Sequence, residues 1–559
     1  MKSLKYIAIA GLTLLVLGLN SCSQEFLDRK PTTAVNNDEA LTTVTNIQSA
    51  TVGLMLYFAS YGYTGRNLPV IGDLITDNVT TIKGNSGHLL DIERWNISSS
   101  LGEISTIWGG SYQIASAAAK VVQACEKLSE GASSDTKKTL DKCKASALTV
   151  KVFAEYILTQ YYCLPYSAAG NAPGPQVPLN GIGSTPAEMN GIILIPWNEP
   201  VSSDNAINAN STLETATLEE TYKHMHEELE KAIEAFNNSS KDFSSSNAAY
   251  FPTLCMAYTL QARLYLEQGY YDATYFQKAF EAAELALSNL PNGAQKELVG
   301  DGQKFLEQYR SISAPTQEDI LTVNFTTSDN LSANSINNMF NSYGASVSKD
   351  VINLFEDYNK TNDIRRAIYS ETQETPSLEM YSSCGKYPNQ NQINNVPVLR
   401  VPELYLIKAE ARANISNGDL DNDDDYKAAM LATLGVRDSS IHGDYNKLKE
   451  IYFKETNRDN AALQYVLEER RREFATEGHR WFDMRRTKTA LTHKNNTDYR
   501  IAFTDYPIYA FAFPIPESET NTGAWQNNRL KQNEFWRIKN GDSWSPVYEL
   551  PVDGGVYGN

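Results

Sequence analysis

The sequence predicts an all-α, mainly helical protein with a loop-rich lobe and little strand. Three observations point there. Apolar residues recur at three- and four-residue steps over long stretches, as at Leu148, Val152, Tyr156 and the Ile157-Leu158 pair, the spacing that lines one face of a helix. Residues 252–291 have the layout of two helices joined by a tight turn, with Pro252 at the start, Gly269 at the stop and Pro291 at the end. Strand-like runs are short, the clearest being Asp319-Ile-Leu-Thr-Val-Asn-Phe325.

Taken in order, the chain begins with Lys2 and Lys5 and an apolar run from Tyr6 to Leu19. As a helix that run spans about 21 Å, short of the roughly 30 Å hydrocarbon core, so residues 1–21 read as an export signal. Leu19-Asn20-Ser21-Cys22 follows and resembles a bacterial lipobox, although Asn20 departs from the usual small residue. Cys22 is the expected lipidation site, since more than one acyl chain gives stable anchoring. Ser23 to Asp28 forms a polar tether.

A first helix is expected over 36–61, capped at Asn37-Asp38, with Leu41, Val44, Ile47, Val52 and Met55 on its buried face. Tyr61 to Ser105 reads as loop-rich, holding Tyr61, Tyr63, Asp73, Asp77, Asn78, His88, Arg94 and Trp95 among glycines and small polar residues. Helices are expected from Ile107 to Leu128 and from Lys137 to Tyr162. Pro165 to Pro200 is a Pro-, Gly- and Asn-rich excursion containing Trp197. Thr217 caps the next helix, and Glu220 completes a capping box. In 252–291, Tyr258, Ala262, Tyr265, Gly269 and Tyr271, then Ala279, Ala283, Ala286 and Pro291, follow the tetratricopeptide pattern with an insertion between them. Residues 402–434 give a weaker second copy. Residues 292–400 are rich in Asn and Ser, and a boundary near 310 separates regions 22–310 and 311–559.

A formal net charge of −18 argues against unaided nucleic-acid binding, which needs a basic stripe, and favours neutral ligands. The six cysteines show no metal-like spacing. A Cys125–Cys143 bridge stays open as an alternative to two free thiols. Glu473-Phe-Ala-Thr-Glu477-Gly-His479 lacks the His-Glu-x-x-His order of a zinc helix. Glu473, Glu477, Arg480, Asp483 and Arg485 are expected instead to form a partly buried ion network. Asp421 to Asp425 opens like a calcium loop but has Tyr426 and Ala432 where such a loop needs Gly and Glu; it reads as a solvated acidic turn. No nucleophile elbow, phosphate loop or dinucleotide fingerprint is present, so neither catalytic residues nor cofactors nor metals are expected.

The last third carries Arg400-Val-Pro-Glu-Leu-Tyr-Leu-Ile-Lys-Ala-Glu-Ala411, Glu468-Glu-Arg-Arg-Arg-Glu-Phe474, Glu477-Gly-His-Arg-Trp-Phe-Asp-Met-Arg-Arg486 and Phe513-Pro-Ile-Pro516. In that order these runs resemble the RagB/SusD family of outer-membrane lipoproteins. Asn528, Cys163 and Ala118 depart from the family's usual Pro, Gly and Asn. The resemblance implies a SusD-like fold built on tetratricopeptide-like helix pairs. It also implies a noncatalytic glycan-capturing role at the outer-membrane surface and a SusC-like TonB-dependent transporter as partner, over which the protein sits as a hinged lid. Peptide cargo of the RagB type, or a tetratricopeptide-type surface scaffold or adhesin, is the alternative. A sugar site needs an aromatic face with polar groups beside it. Trp95, flanked by Arg94 and Asn96, with Asp77 and Asn78 upstream, is the expected ligand site; Tyr63 and Trp197 stand in reserve.

Overall fold

A computed structural model describes residues 40–81, 87–169, 185–196, 214–239, 248–310, 314–356, 362–371, 381–382, 385–388, 392–416, 422–453, 460–489, 492–494, 500–502, 512–521, 536–539 and 543–546. The stretch read as an export signal, Cys22, the expected tether, the expected cap Asn37-Asp38, Trp197 and Asp421 lie outside them. The helical prediction holds, and among the described residues no helix is long and apolar enough to cross a membrane.

Helix α1, Val44–Phe58, starts at Thr43, whose hydroxyl accepts from Asn46 N–H. Its buried face is Ile47, Thr51, Leu54 and Phe58, whereas Val52 is 44 % exposed. Of the expected face only Val52 lies away from the core, while Leu41, Val44 and Met55 are partly buried against it. Helix α2, Asn67–Leu74, and strand β1, Val79–Thr81, lie within the stretch read as loop. All eight residues of α2 are buried, and a helix apolar on all sides shows no periodicity to betray it.

Helices α3, Gly102–Ser129, and α4, Ser134–Tyr162, pack as a pair. From Ala145 to Tyr162 every residue of α4 is buried, which makes it the central rod of the core. Helix α5, Leu218–Asn238, carries the expected capping box of Thr217 and Glu220. Helices α6, Leu254–Gly269, and α7, Thr274–Ser288, form the expected hairpin, with Thr253 as the cap, so Pro252 precedes the cap instead of taking the first helical position. At Gly269 an added Cβ would lie 2.5 Å from the Phe276 ring, so only glycine lets the second helix fold back so closely.

Strand β2, Asp319–Val323, confirms the short strand; helix α8, Ile336–Asn341, and strand β3, Ala345–Val347, follow. Strand β4, Val396–Arg400, pairs antiparallel with β2 and runs directly into helix α9, Val401–Ile415. Helix α10, Asp424–Arg437, packs on α9 as the second hairpin. Helix α11, Ala461–Phe474, and helix α12, His479–Thr487, complete the frame. Helix α7 packs on α9, so the two hairpins stack. β1 pairs antiparallel with β3, Val79 opposite Val347 and Thr81 opposite Ala345. This pairing ties the N-terminal loops to the Asn-rich segment, and the main hydrophobic core likewise draws on residues from Ile47 to Ile515.

Candidate functional site

The acidic and basic residues of α11 and α12 form a denser network than expected. Glu473, fully buried, accepts from Arg400 at 2.7 Å, Arg437 at 2.9 Å and Arg365 at 3.0 Å. Burial works against its charge, but Arg437, Arg400 and Arg365 outweigh that and hold the carboxyl well below its ordinary range. Glu477 pairs with Lys386 and Arg400, and Asp483 with Arg470 and Arg486. Arg485 differs from expectation: it donates to Gln160 Oε1 at 2.8 Å and to the Cys163 carbonyl at 2.5 Å. His479 stacks on Phe474 with centroids 4.3 Å apart, and burial, with Arg263 and Arg470 nearby, keeps the imidazole neutral. Every group has a framework role, as charges buried this deeply require.

The expected ligand residues are divided by this network. Trp95 is 4 % exposed; its indole N–H donates to the Ile75 carbonyl at 3.0 Å and its ring lies 6.3 Å from that of Trp481. Tyr63 is fully buried against Phe58 and Phe153. Asn78 is 1 % exposed, donating to Asp73 and accepting from Arg471. Asp77 is clamped by Arg480 at 2.7 Å and lies 3.4 Å from Arg471. Burial opposes ionisation of Asp77, but Arg471 and Arg480 hold it well below the ordinary carboxylate range. These four side chains are spent on the frame, which corrects the reading of them as ligand contacts; loop composition does not distinguish a ring turned inward from one turned outward. Arg94 and Asn96 are exposed beside them, Asn96 donating to Asp91 at 3.0 Å.

The clamp has a purpose in the fold. Asp73 accepts from the backbone N–H groups of Thr476 at 2.6 Å and Gly478 at 3.1 Å. Burial nevertheless pushes its carboxyl up to about 6. Gly72 meets Gly478 so closely that a Cβ on Gly72 would stand 2.2 Å from the Gly478 carbonyl oxygen. Ser348 N–H donates to the Asn78 carbonyl at 2.8 Å and its hydroxyl to the Asp77 carbonyl at 2.5 Å. The β1–β3 register is thus pinned to α11 and α12.

At the far end of that strand pair, His88 and Tyr343 come together. His88 and Tyr343 stack with centroids 3.8 Å apart and planes 25° apart, both half-buried. Arg66 lies 5.0 Å over the ring of Tyr61, which is 41 % exposed, and its charge also feels Tyr343. Arg66 Nε donates to Asn67 Oδ1 at 2.9 Å and Nη1 to Asn334 Oδ1 at 3.4 Å. Asn338 accepts from Ser342 and Gln392. Left-handed backbone occurs at Leu89, Ser332 and Gln392, with φ of 57°, 49° and 63°. Such conformations cost energy and gather where loops are shaped for binding. The result is a partly exposed arc of ring faces and amides with the buried Arg66 guanidinium behind it. Tyr61 and His88 stood in the loop inventory of the sequence, whereas Tyr343 lay unmarked in the Asn-rich run Asn334-Ser-Ile-Asn-Asn-Met-Phe-Asn-Ser-Tyr-Gly344.

Lys151, Glu155, Glu228 and His224 form another cluster. The Lys151 ammonium stands 2.6 Å from Glu155, 2.8 Å from Glu228 and 3.1 Å from His224 Nε2. It therefore fills the place a metal would take among the three other groups. At the calcium-loop-like run, Asp423 caps α10 by accepting from Tyr426 N–H at 2.9 Å and pairs with Arg412 at 2.8 Å.

Comparison with known proteins follows the same lines. The family model described as SusD family matches residues 261–536. The model described as starch-binding associating with outer membrane matches residues 25–266. No curated protein matches the chain in sequence. A SusD superfamily protein from Bacteroides thetaiotaomicron is 19 % identical with a TM-score of 0.68, covering 88 % of this chain and 99 % of its own. A putative sugar binding protein from Bacteroides vulgatus is 20 % identical with a TM-score of 0.68 and the same coverage of each chain. Surface glycan-binding protein A from B. thetaiotaomicron, in complex with laminarihexaose, is 16 % identical with a TM-score of 0.57, again covering 88 % and 99 %. With two family models meeting near residue 261 and spanning nearly the whole described chain, and with the stacked hairpins and the Arg-Glu frame in place, the protein belongs to the SusD family.

Proposed function

We propose that this chain is a noncatalytic, lipid-anchored glycan-binding protein of the outer-membrane surface. In this reading it captures oligosaccharide and closes as a lid over a SusC-like TonB-dependent transporter. The observation that carries the binding role is the arc of Tyr61, Arg66, His88, Tyr343 and the neighbouring amides. Aromatic faces take the C–H side of a pyranose, and amides beside them exchange hydrogen bonds with its hydroxyls. The family's description as starch-binding and associated with the outer membrane, and the laminarihexaose complex of one structural relative, support the same class of ligand. Diacylated Cys22 would supply the anchor. A ligand touching both lid and barrel would favour the closed state through its differential contacts alone.

Calorimetry with a panel of oligosaccharides tests the binding role. Tyr343→Ala is expected to weaken binding by about 1–3 kcal/mol, the range for an aromatic anchor, while the protein still unfolds cooperatively. Unaltered affinity for every bound oligosaccharide would remove the arc from the site. Co-purification of a barrel with the membrane-extracted protein, lost on Cys22→Ala, tests the anchor and the partner together.

A further inference from the structure

Arg66 departs from the pattern of most of the chain's buried arginines. The buried guanidiniums of Arg263, Arg365, Arg400, Arg437 and Arg486 each lie within 4.0 Å of a carboxylate. Arg66 is buried to a similar degree, at 6 % exposed, yet its partners are the amide oxygens of Asn67 and Asn334 and the ring of Tyr61. Glu103 is near enough to favour its charge but makes no ion pair with it. Among the described residues its Nη2 makes no hydrogen bond. A guanidinium offers five donors in a planar fork that matches a carboxylate or sulfate. Here part of the fork is fixed by amides and the remainder is left over in the arc.

We propose that the ligand of this arc carries a negative charge, a carboxylate or sulfate on a sugar unit, and that Arg66 receives it between the rings of Tyr61 and Tyr343. This rests on the glycan-binding reading above and narrows it. The net charge of −18 by itself favours neutral cargo. An acidic glycan approaching such a surface is repelled at long range and held only where a preorganised cation awaits it. Asn67 provides that preorganisation, donating to Thr106 at 3.1 Å while accepting from Arg66. The Asn334 contact joins the loop before α2 to the loop before α8, so the cation is carried on two segments at once.

The test measures binding of three probes to the full mature chain by calorimetry. They are an oligogalacturonate, a sulfated carrageenan oligosaccharide and neutral laminarihexaose. At least one anionic probe is expected to bind more tightly than the neutral one, with affinity that falls as NaCl is raised; which of the two binds distinguishes carboxylate from sulfate. Arg66→Gln should weaken the anionic probe by about tenfold to a hundredfold, the range of a charge-assisted hydrogen-bond pair, and leave the neutral probe nearly unchanged. Arg66→Lys, which keeps the charge and loses the fork, should recover only part of that loss. Neutral binding that depends on Tyr343 and equals or exceeds anionic binding would overturn this inference and leave the glycan-binding reading intact. Absence of Tyr343-dependent binding to any probe would overturn both. If Arg66→Gln does not fold, the salt dependence of the unaltered protein decides, and an anionic affinity indifferent to NaCl counts against the inference.

Discussion

Asp77 was expected to touch ligand and is found bound to the frame, and Asp77→Asn separates these roles by experiment. Its carboxylate is 11 % exposed and faces Arg480 at 2.7 Å and Arg471 at 3.4 Å, themselves 6 % and 12 % exposed. Removing one member of a fully buried pair costs about 3–5 kcal/mol, because the abandoned charge stays desolvated. Here two cations are abandoned, but each keeps a little water, so about 3 kcal/mol is the expected loss. Urea unfolding followed by tryptophan fluorescence reads it directly, and a pH series adds a second check. The folded carboxyl is depressed, so its contribution is present above the ordinary carboxylate range and lost as pH falls through the folded value. The asparagine variant should lack that acid-side fall. A stability loss under about 1 kcal/mol, the value of an exposed pair, together with abolished oligosaccharide binding would refute the structural role and return Asp77 to the ligand site.

Trp95→Ala should destabilise the protein by about 3–5 kcal/mol, as for a large aromatic lost from a core, in the same urea titration. Glu473→Gln leaves Arg365, Arg400 and Arg437 short of a shared acceptor, and a loss of about 3–5 kcal/mol is expected from its unfolding curve. Gly72→Ala drives a methyl into the Gly478 carbonyl, and thermal unfolding should show a loss of about 1–3 kcal/mol or more. For His224, burial opposes protonation but Glu155 outweighs it and raises the imidazole to about 9. Its contribution is therefore full below its ordinary value of 6.5 and lost as pH rises through 9; His224→Gln should flatten that alkaline decline in an unfolding series.

The helical frame was legible because amphipathic helices declare themselves by spacing. Thr217 with Glu220 and the α6–α7 hairpin at Gly269 fell where pattern and turn chemistry put them. Helix α2 escaped because a short helix buried on every side resembles an apolar loop, and Val52 misled because an apolar residue on a surface face looks like a core residue. The ligand residues were hardest to read. Trp95 and Tyr343 both sit in loops of similar composition; the first is buried with a hydrogen bond to the Ile75 carbonyl, and the second is left half-buried on His88 beside a strand whose register is set some 270 residues away in the chain. Only long-range pairing tells them apart. The Arg-Glu network was foreseen on α11 and α12, but Arg365, Arg437 and Glu318 belong to it through contacts that local sequence does not reveal.

The clamp between the segment 73–77 and the segment 476–480 joins positions separated by 403 residues. No nascent chain can make it until almost the whole polypeptide has been synthesised, so the central core stays unlocked while the leading part is already outside the ribosome. Contacts of such sequence separation also make folding slow. The lock therefore sets only after residues 476–480 have been made, and until then the segment 73–77 is held by none of these contacts.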